Sequence, residues 1–215
     1  MTVLQSLGRF NDAHPWSHND AYASYVLRHA RAVRSQGGDV AVDVGCGTGI
    51  LLSRLARVFP TVIGIEPDAR SAALARERFH PGHVRIDIRT FGDEPHRAYD
   101  FIAFVASLHH MPLHAALSAA RTALRPGGRL VIVGVAKETE ADAVRSFVSM
   151  VLNPIIGMLR HPRRASQRPA NMEAPVADPP QTFEEIRAIA SVILPGILMR
   201  RRLFWRYTAF WDAPR

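Results

Sequence analysis

The stretch "VDVGCGTG", residues 42–49, sets three glycines in five positions directly behind a run of β-branched residues. The run that leads into it, "DVAVDVG" (39–45), is short, unbroken and apolar with one acid near its end, the pattern of a strand buried on both faces of a parallel sheet. Behind the glycines, "ILLSRLARVF" (50–59) reads as a helix, so the unit is strand, bare turn, helix. The next eighty residues repeat that rhythm. "TVIGIE" (61–66) is a strand, "DARSAALARERF" (68–79) a helix, "HVRIDI" (83–88) and "YDFIAFVAS" (99–107) strands, "LHAALSAARTAL" (113–124) a helix, "RPGG" (125–128) a turn and "RLVIVGV" (129–135) a strand. Strands alternating with helices connect by right-handed crossovers into a doubly wound α/β sheet.

Working outward, "HPWSHNDAYASYVLRHARAV" (14–33) places Tyr22, Tyr25 or Val26, His29 and Val33 near one helical face. Ser17, Asn19 or Asp20 are available to cap that helix and "QGG" (36–38) ends it. Beyond residue 135 an apolar helix-like piece, "AVRSFVSMVLNPIIGMLR" (143–160), precedes a Pro- and Arg-rich stretch (161–180) with no regular pattern. "TFEEIRAIASVIL" (182–194) restores a helix capped by Thr182, and "GILMRRRLFWRYTAFWD" (196–212) reads as two closing strands with a turn near residues 204–206. The reading is one domain over 1–215: an N-terminal helical lid (1–38), a core (39–137), an inserted lid or substrate segment (138–181), and a last helix with closing strands (182–215). The insertion is expected over the carboxyl ends of the strands, where ligands bind in open α/β sheets.

Composition narrows the classes. A chain of 215 residues with 47% hydrophobic content has ample material for one core. No signal-peptide pattern stands at the start, and no apolar run approaches the roughly 18–20 residues of a spanning helix. The expectation is a cytoplasmic protein with no membrane span, a monomer or homodimer. Cys46 is the sole cysteine, which excludes an intrachain disulfide. The net charge of +8 comes from arginine, with Lys137 the only lysine. The arginines are spread along helical stretches without aromatic interleaving, so they read as solvated faces rather than a nucleic-acid surface. The one cluster is "RHPRRASQR" (160–168).

Three ligand classes compete for the glycine turn. A dinucleotide fingerprint needs Gly-x-Gly-x-x-Gly, but Ile50 stands where its third glycine belongs. A phosphate loop needs Gly-Lys-Ser/Thr, and no lysine is near. A nucleoside carrying a zwitterionic amino acid fits better. Gly45 and Gly47 admit a close approach, the following helix offers amides to a carboxylate, and Asp43 can accept from an ammonium group. Glu66, 17 residues past Gly49, ends the second strand where an acid can accept both ribose hydroxyls.

"VDVGCGTG", "VIGIEPD", "YDFIAFVASLHHM" and "LRPGGRLVIVGVAK", in this order, resemble the motifs of class I S-adenosylmethionine-dependent methyltransferases, particularly the small-molecule branch called type 11. The resemblance covers roughly residues 38–137. It implies a Rossmann-like seven-stranded sheet, mostly parallel with an antiparallel last strand, helices on both faces, and S-adenosyl-L-methionine as the methyl donor. It assigns Asp43, Gly45, Cys46, Gly47 and Gly49 to the methionine part, Glu66 to the ribose, and Pro67 to the adenine. The acid usual after the third strand is here Thr90, followed by Phe91, whose amide is the remaining adenine contact. The position after the fourth strand that is often Asn or Asp is Val105, which argues against a nucleic-acid base methyltransferase.

Transfer from a sulfonium asks the protein to align the acceptor, exclude water and, for a hydroxyl, remove a proton. His109 and His110, after the fourth strand, are candidate bases; either could instead pack beneath the adenosine or cap the next helix. Trp16, His18 and Tyr22 could close over the site, with His18 a reserve base, or simply pack on the sheet. Phe147, Met150 and Val151 suit an irregular apolar acceptor pocket, an ordinary core or a dimer surface equally. Lipid contact through "RHPRR" ranks last, because the segment before it lacks a clean apolar face. No metal-ligand cluster is expected. The acceptor is expected to be a small organic molecule, a specialised metabolite, methylated on O or N. The rival readings are a cofactor-binding partner without catalysis and an RNA methyltransferase.

Overall fold

Val40–Val44 (β1) is buried at four of its five positions, the two-sided burial that its unbroken apolar run requires. The computed structural model describes residues 18–79, 82–160 and 178–215. β1 lies between two parallel neighbours, Thr61–Ile65 (β2) and Tyr99–Val105 (β4). Val84–Asp87 (β3) extends the sheet beyond β2, and Leu124–Gly134 (β5) extends it beyond β4. The chain then closes the sheet with Leu198–Arg201 (β6) and Tyr207–Asp212 (β7). β7 inserts antiparallel between β5 and β6, giving the order β3-β2-β1-β4-β5-β7-β6. Winding reverses between β1 and β4, so their carboxyl ends open the crevice where ligands enter such sheets.

Alternate residues of each strand feed two cores, as the period of two demands. Val42, Val44, Ile102, Phe104, Leu130 and Ile132 face the helices Leu113–Ala123 (α5) and Phe183–Ile193 (α7). Ala41, Phe101, Ala103, Val131 and Val133 face Ala23–Ser35 (α2), Ile50–Leu55 (α3) and Ala69–Glu77 (α4). On α2 the buried residues are Val26, His29, Ala30 and Val33, close to the face expected. Thr182 caps α7 through a reciprocal box with Glu185, with Thr182 N donating to Glu185 Oε2 at 2.8 Å.

Three local readings are corrected. The helix over residues 50–59 stops at Leu55, because Phe59 must turn back to stack on Phe101 at 5.7 Å between ring centroids. "RPGG" is an excursion within β5 rather than a separate turn: Leu124 pairs with Tyr99, Arg129 pairs with Phe101, and Gly127 adopts φ +77° between them. Asn19 and Asp20 cap nothing. His18–Ala21 (α1) is a single turn that breaks at Tyr22, and the two side chains are taken by Arg206 and Arg54 instead. Ser17 lies outside the described residues.

The helix Ala143–Arg160 (α6) is built inside out. Ser146, Ser149 and Asn153 face the body and bond there to Glu138, the Phe204 amide and His18 respectively. Val144, Phe147, Val148, Val151, Ile155, Met158 and Leu159 form a continuous exposed stripe on the opposite side. A clean apolar face therefore exists where none was expected. Residues 140–159 are also long and apolar enough to cross a membrane by length and composition, with 11% of that stretch buried. The arginine cluster beyond Arg160 lies outside the described residues. Several other arginines pair with acids: Arg54 with Asp20, Arg89 with Glu94, Arg125 with Asp100, and Arg129 with Asp212.

Candidate active site

The three glycines of the turn behind β1 do three different jobs. All adopt positive φ, at +70°, +52° and +82° for Gly45, Gly47 and Gly49. A Cβ on Gly45 would fall 2.4 Å from Ser107 Cβ, so a glycine here makes room for the end of β4. A Cβ on Gly49 would press on Ala75 and Phe79 at 3.2 Å; this residue starts α3 and seats it against α4. A Cβ on Gly47 meets nothing within 4 Å. Gly47 is thus the bare backbone that faces open space.

The loop is tied to the end of β2. Gly45 N donates to the Ile65 carbonyl at 2.8 Å, and Gly47 N donates to Glu66 Oε2 at 2.8 Å. The other Glu66 oxygen accepts from Asp68 N at 2.9 Å. Two backbone amides thereby fix the carboxylate, which is 8% exposed and keeps lone pairs for further donors. Pro67 beside it is exposed. Asp43 is enclosed within β1, and burial, reinforced by the negative Glu66, pushes its carboxyl up to about 7. An ammonium group brought to this pair of acids would restore the charge of Asp43. Cys46 turns its thiol down onto Gly64; burial, then Asp43 and Glu66, push that thiol up and keep it neutral. Its side chain is packing, and only its backbone belongs to the loop.

After β3, Thr90 is exposed, whereas Phe91 is buried edge-on against Phe104 at 5.3 Å. That anchor fixes the backbone beside the expected adenine position. At the end of β4, Val105 is half-buried and Ala106 takes φ +54°. Ser107, which sequence reasoning missed, is buried and donates its hydroxyl to the Val44 carbonyl at 2.5 Å, joining the ends of β1 and β4. The left-handed Ala106 and the Ser107 bond turn the chain into a 3₁₀ turn at Leu108–His110. His109 is half-buried with a buried Nδ1 that has no hydrogen-bond partner among the described residues, and its ring lies 4.0 Å from the exposed His110 ring. Burial, then His110 and Arg206, pull His109 down to about 4, so its imidazole is neutral at ordinary pH.

The other expected residues sit nearer β5 and β7. Tyr22 donates its hydroxyl to the Leu203 carbonyl at 2.6 Å, and His18 Nε2 meets Asn153 Oδ1 at 2.9 Å. The His18 ring also lies 5.7 Å from Phe204 and 5.5 Å from Trp205, and burial lowers its pKa. These contacts fasten α1 to α6 and Tyr22 to the β6–β7 turn, the arrangement of the packed alternative. Trp16 lies outside the described residues. A small cavity of about 30 Å³, open to solvent, is lined by Ala136, Arg145, Ser146, Arg202, Arg206 and Tyr207, among others. Phe147 and Val151 do not line it; they are 63% and 46% exposed on the outer stripe of α6, and Met150 is half-buried. The side that α6 turns to the cavity carries Arg145 and Ser146 instead. Arg206 was also missed, since "RRRLFWR" gives no sign of which arginine turns inward.

Comparisons with known proteins agree with this geometry. The family described as "Methyltransferase domain" matches residues 16–168. A Mycobacterium tuberculosis (strain H37Rv) protein named "uncharacterized methyltransferase" is 31% identical over 204 residues, covering 93% of this chain and 98% of that protein. A "ubiquinone biosynthesis O-methyltransferase" of Bradyrhizobium sp. (strain ORS 278) is 29% identical over 117 residues, 53% of this chain and 46% of its own length. The solved structure of an S-adenosylmethionine-dependent methyltransferase from Mesorhizobium loti superposes with a TM-score of 0.57 at 14% identity, covering 84% of this chain and 95% of that one. It shares the fold.

Proposed function

The chain belongs to the methyltransferase family, as an S-adenosylmethionine-dependent enzyme, and from that premise we propose that it methylates an oxygen or nitrogen of a small organic acceptor at the edge formed by the carboxyl ends of β4 and β5 and the amino end of β7. The observation that carries this reading is the 2.8 Å bond from Gly47 N to Glu66, which holds a buried carboxylate beside an open stretch of backbone. S-adenosyl-L-methionine, when bound, supplies an activated methyl on its sulfonium. Glu66 has lone pairs left for two ribose hydroxyls, Gly47 leaves space for the methionine backbone, and Asp43 has an unmet preference for a positive neighbour. Pro67 and the amide of Phe91 border the adenine.

On the acceptor side, His109 presents a neutral imidazole at the end of β4, where a hydroxyl proton must be removed. Its buried Nδ1 has no hydrogen-bond partner among the described residues, which leaves the ring unbound on that side. The Bradyrhizobium relative is named for O-methylation, which supports oxygen as the acceptor atom here. A specialised metabolite remains the expected class. The test is formation of S-adenosylhomocysteine from S-adenosylmethionine across a panel of phenols, carboxylic acids and amines. Acceptor-dependent turnover on at least one class is expected. Tight donor binding with no turnover on any class would favour a cofactor-binding partner without catalysis.

A further inference from the structure

We propose that the cavity between α6 and the β6–β7 turn recognises the acceptor through an oxyanion, a carboxylate or phosphate, with Arg206 as its principal counter-charge and Arg202 and Arg145 as its supports. The inference rests on the methyltransferase reading and names the substrate class of the same site.

Four arginines line this cavity, against two acids. Asp142 closes a cap on Thr139 while pairing with Arg201, whereas Glu138 accepts only from the Ser146 hydroxyl and keeps its charge, leaving three unpaired arginines against one unpaired acid. Arg201 is shared further with Glu184 at 3.2 Å. The remaining three have no carboxylate partner among the described residues. Arg202 donates to Thr208 Oγ1 at 2.9 Å, and Arg145 reaches only the Ala141 carbonyl at 3.5 Å. Arg206 donates through Nε and one terminal nitrogen to Asn19 Oδ1, both at 3.2 Å, and its other nitrogen points to the Phe204 and Trp205 carbonyls at 3.4 Å.

These neutral acceptors fix the plane of the guanidinium without cancelling its charge. Enclosed charges in proteins are ordinarily paired. Here burial pulls the Arg206 pKa below its usual value, and its partners among the described residues are neutral oxygens rather than a carboxylate. A ligand anion would supply the counter-charge. Position agrees: Arg206 acts electrostatically on His109, on His18 and on Tyr22, so its charge sits among the groups that surround the acceptor region. A charged guanidinium held in one plane, with one N–H donor left over and Arg202 and Arg145 beside it, suits an oxyanion better than a neutral polar group.

The test is calorimetry on the S-adenosylhomocysteine-loaded protein with three probes of one shape: benzoate, phenyl phosphate and neutral benzamide. At least one anion should bind roughly tenfold or more tightly than benzamide, and the preferred anion tells a carboxylate acceptor from a phosphorylated one. Arg206→Gln should cost about tenfold or more in that anion's affinity and leave benzamide unchanged. Should Arg206→Gln fail to fold, Arg145→Gln decides, because Arg145 is exposed and makes only one long bond; about a threefold loss is expected there. Equal binding of benzamide and both anions overturns the proposal, as does anion affinity unmoved by these substitutions. A wild-type protein that fails to bind S-adenosylhomocysteine overturns the underlying cofactor reading, an outcome seen before any probe is added.

Discussion

At the β1–β2 side of the carboxyl edge, the site is built from backbone: the amides of Gly45, Gly47 and Asp68 all end on Ile65 or Glu66, within about one strand–helix–strand unit. At the β5–β7 side it is built from side chains brought together across the chain. His18 meets Asn153, Tyr22 meets Leu203, and Arg206 meets Asn19, at separations of 135, 181 and 187 residues. The first arrangement presents a fixed shape to a constant ligand. The second can be rebuilt by single substitutions, which is what a variable acceptor requires.

The largest effect expected within this contrast comes from Gly45→Val. Its Cβ would overlap Ser107 and its φ is left-handed, so a loss of about 3 kcal/mol or more of stability is expected, measured by chemical denaturation. Gly47→Ala, with open space around it, should fold and lose cofactor affinity instead. If both variants lose only affinity, the division of labour among the glycines is wrong.

His109→Ala should lower turnover on a hydroxyl acceptor by about a hundredfold or more, with little change in S-adenosylmethionine affinity. Because the folded-state pKa is about 4, the base stays neutral as pH falls through 6.5, and the activity limb that it controls belongs near 4. The mutant should lack that limb. The sign for stability is the same: the unfolded imidazole takes its proton near 6.5 and the folded one near 4, so this contribution is lost as pH falls between those values. A shared limb in both proteins would move the titrating group elsewhere.

Smaller effects probe the acceptor side. Tyr22→Phe removes one bond to Leu203 and should cost about 1 kcal/mol in stability while leaving S-adenosylhomocysteine affinity intact. Phe147→Ser, on the exposed stripe, should change stability by no more than about 0.5 kcal/mol and leave anion binding in the cavity unchanged. A large loss in either property would mean that the stripe packs against something essential.

The same contrast governs what could be read in advance. The alternation of apolar strands and helices specified the parallel part of the sheet, the family resemblance supplied its reversed last strand, and Glu66 could be placed at the end of β2 because that strand is a local pattern. Thr182 was legible because a capping box is a local pattern. Ser107 and Arg206 were not, since each owes its role to a strand end or a turn that only the fold brings near. Phe147 and Val151 misled for a physical reason. Periodicity marks an apolar face but not its direction, and α6 turns its serines and Asn153 inward.

The proposed cofactor site rests on Glu66 and the loop bonded to it. Calorimetric titration of S-adenosylhomocysteine into the wild type and Glu66→Ala tests this directly. One site per wild-type chain is predicted, with a loss of roughly 2–4 kcal/mol in the variant as two charge-assisted bonds to the ribose disappear. An affinity unchanged within a factor of a few, in a variant that remains folded, would contradict it.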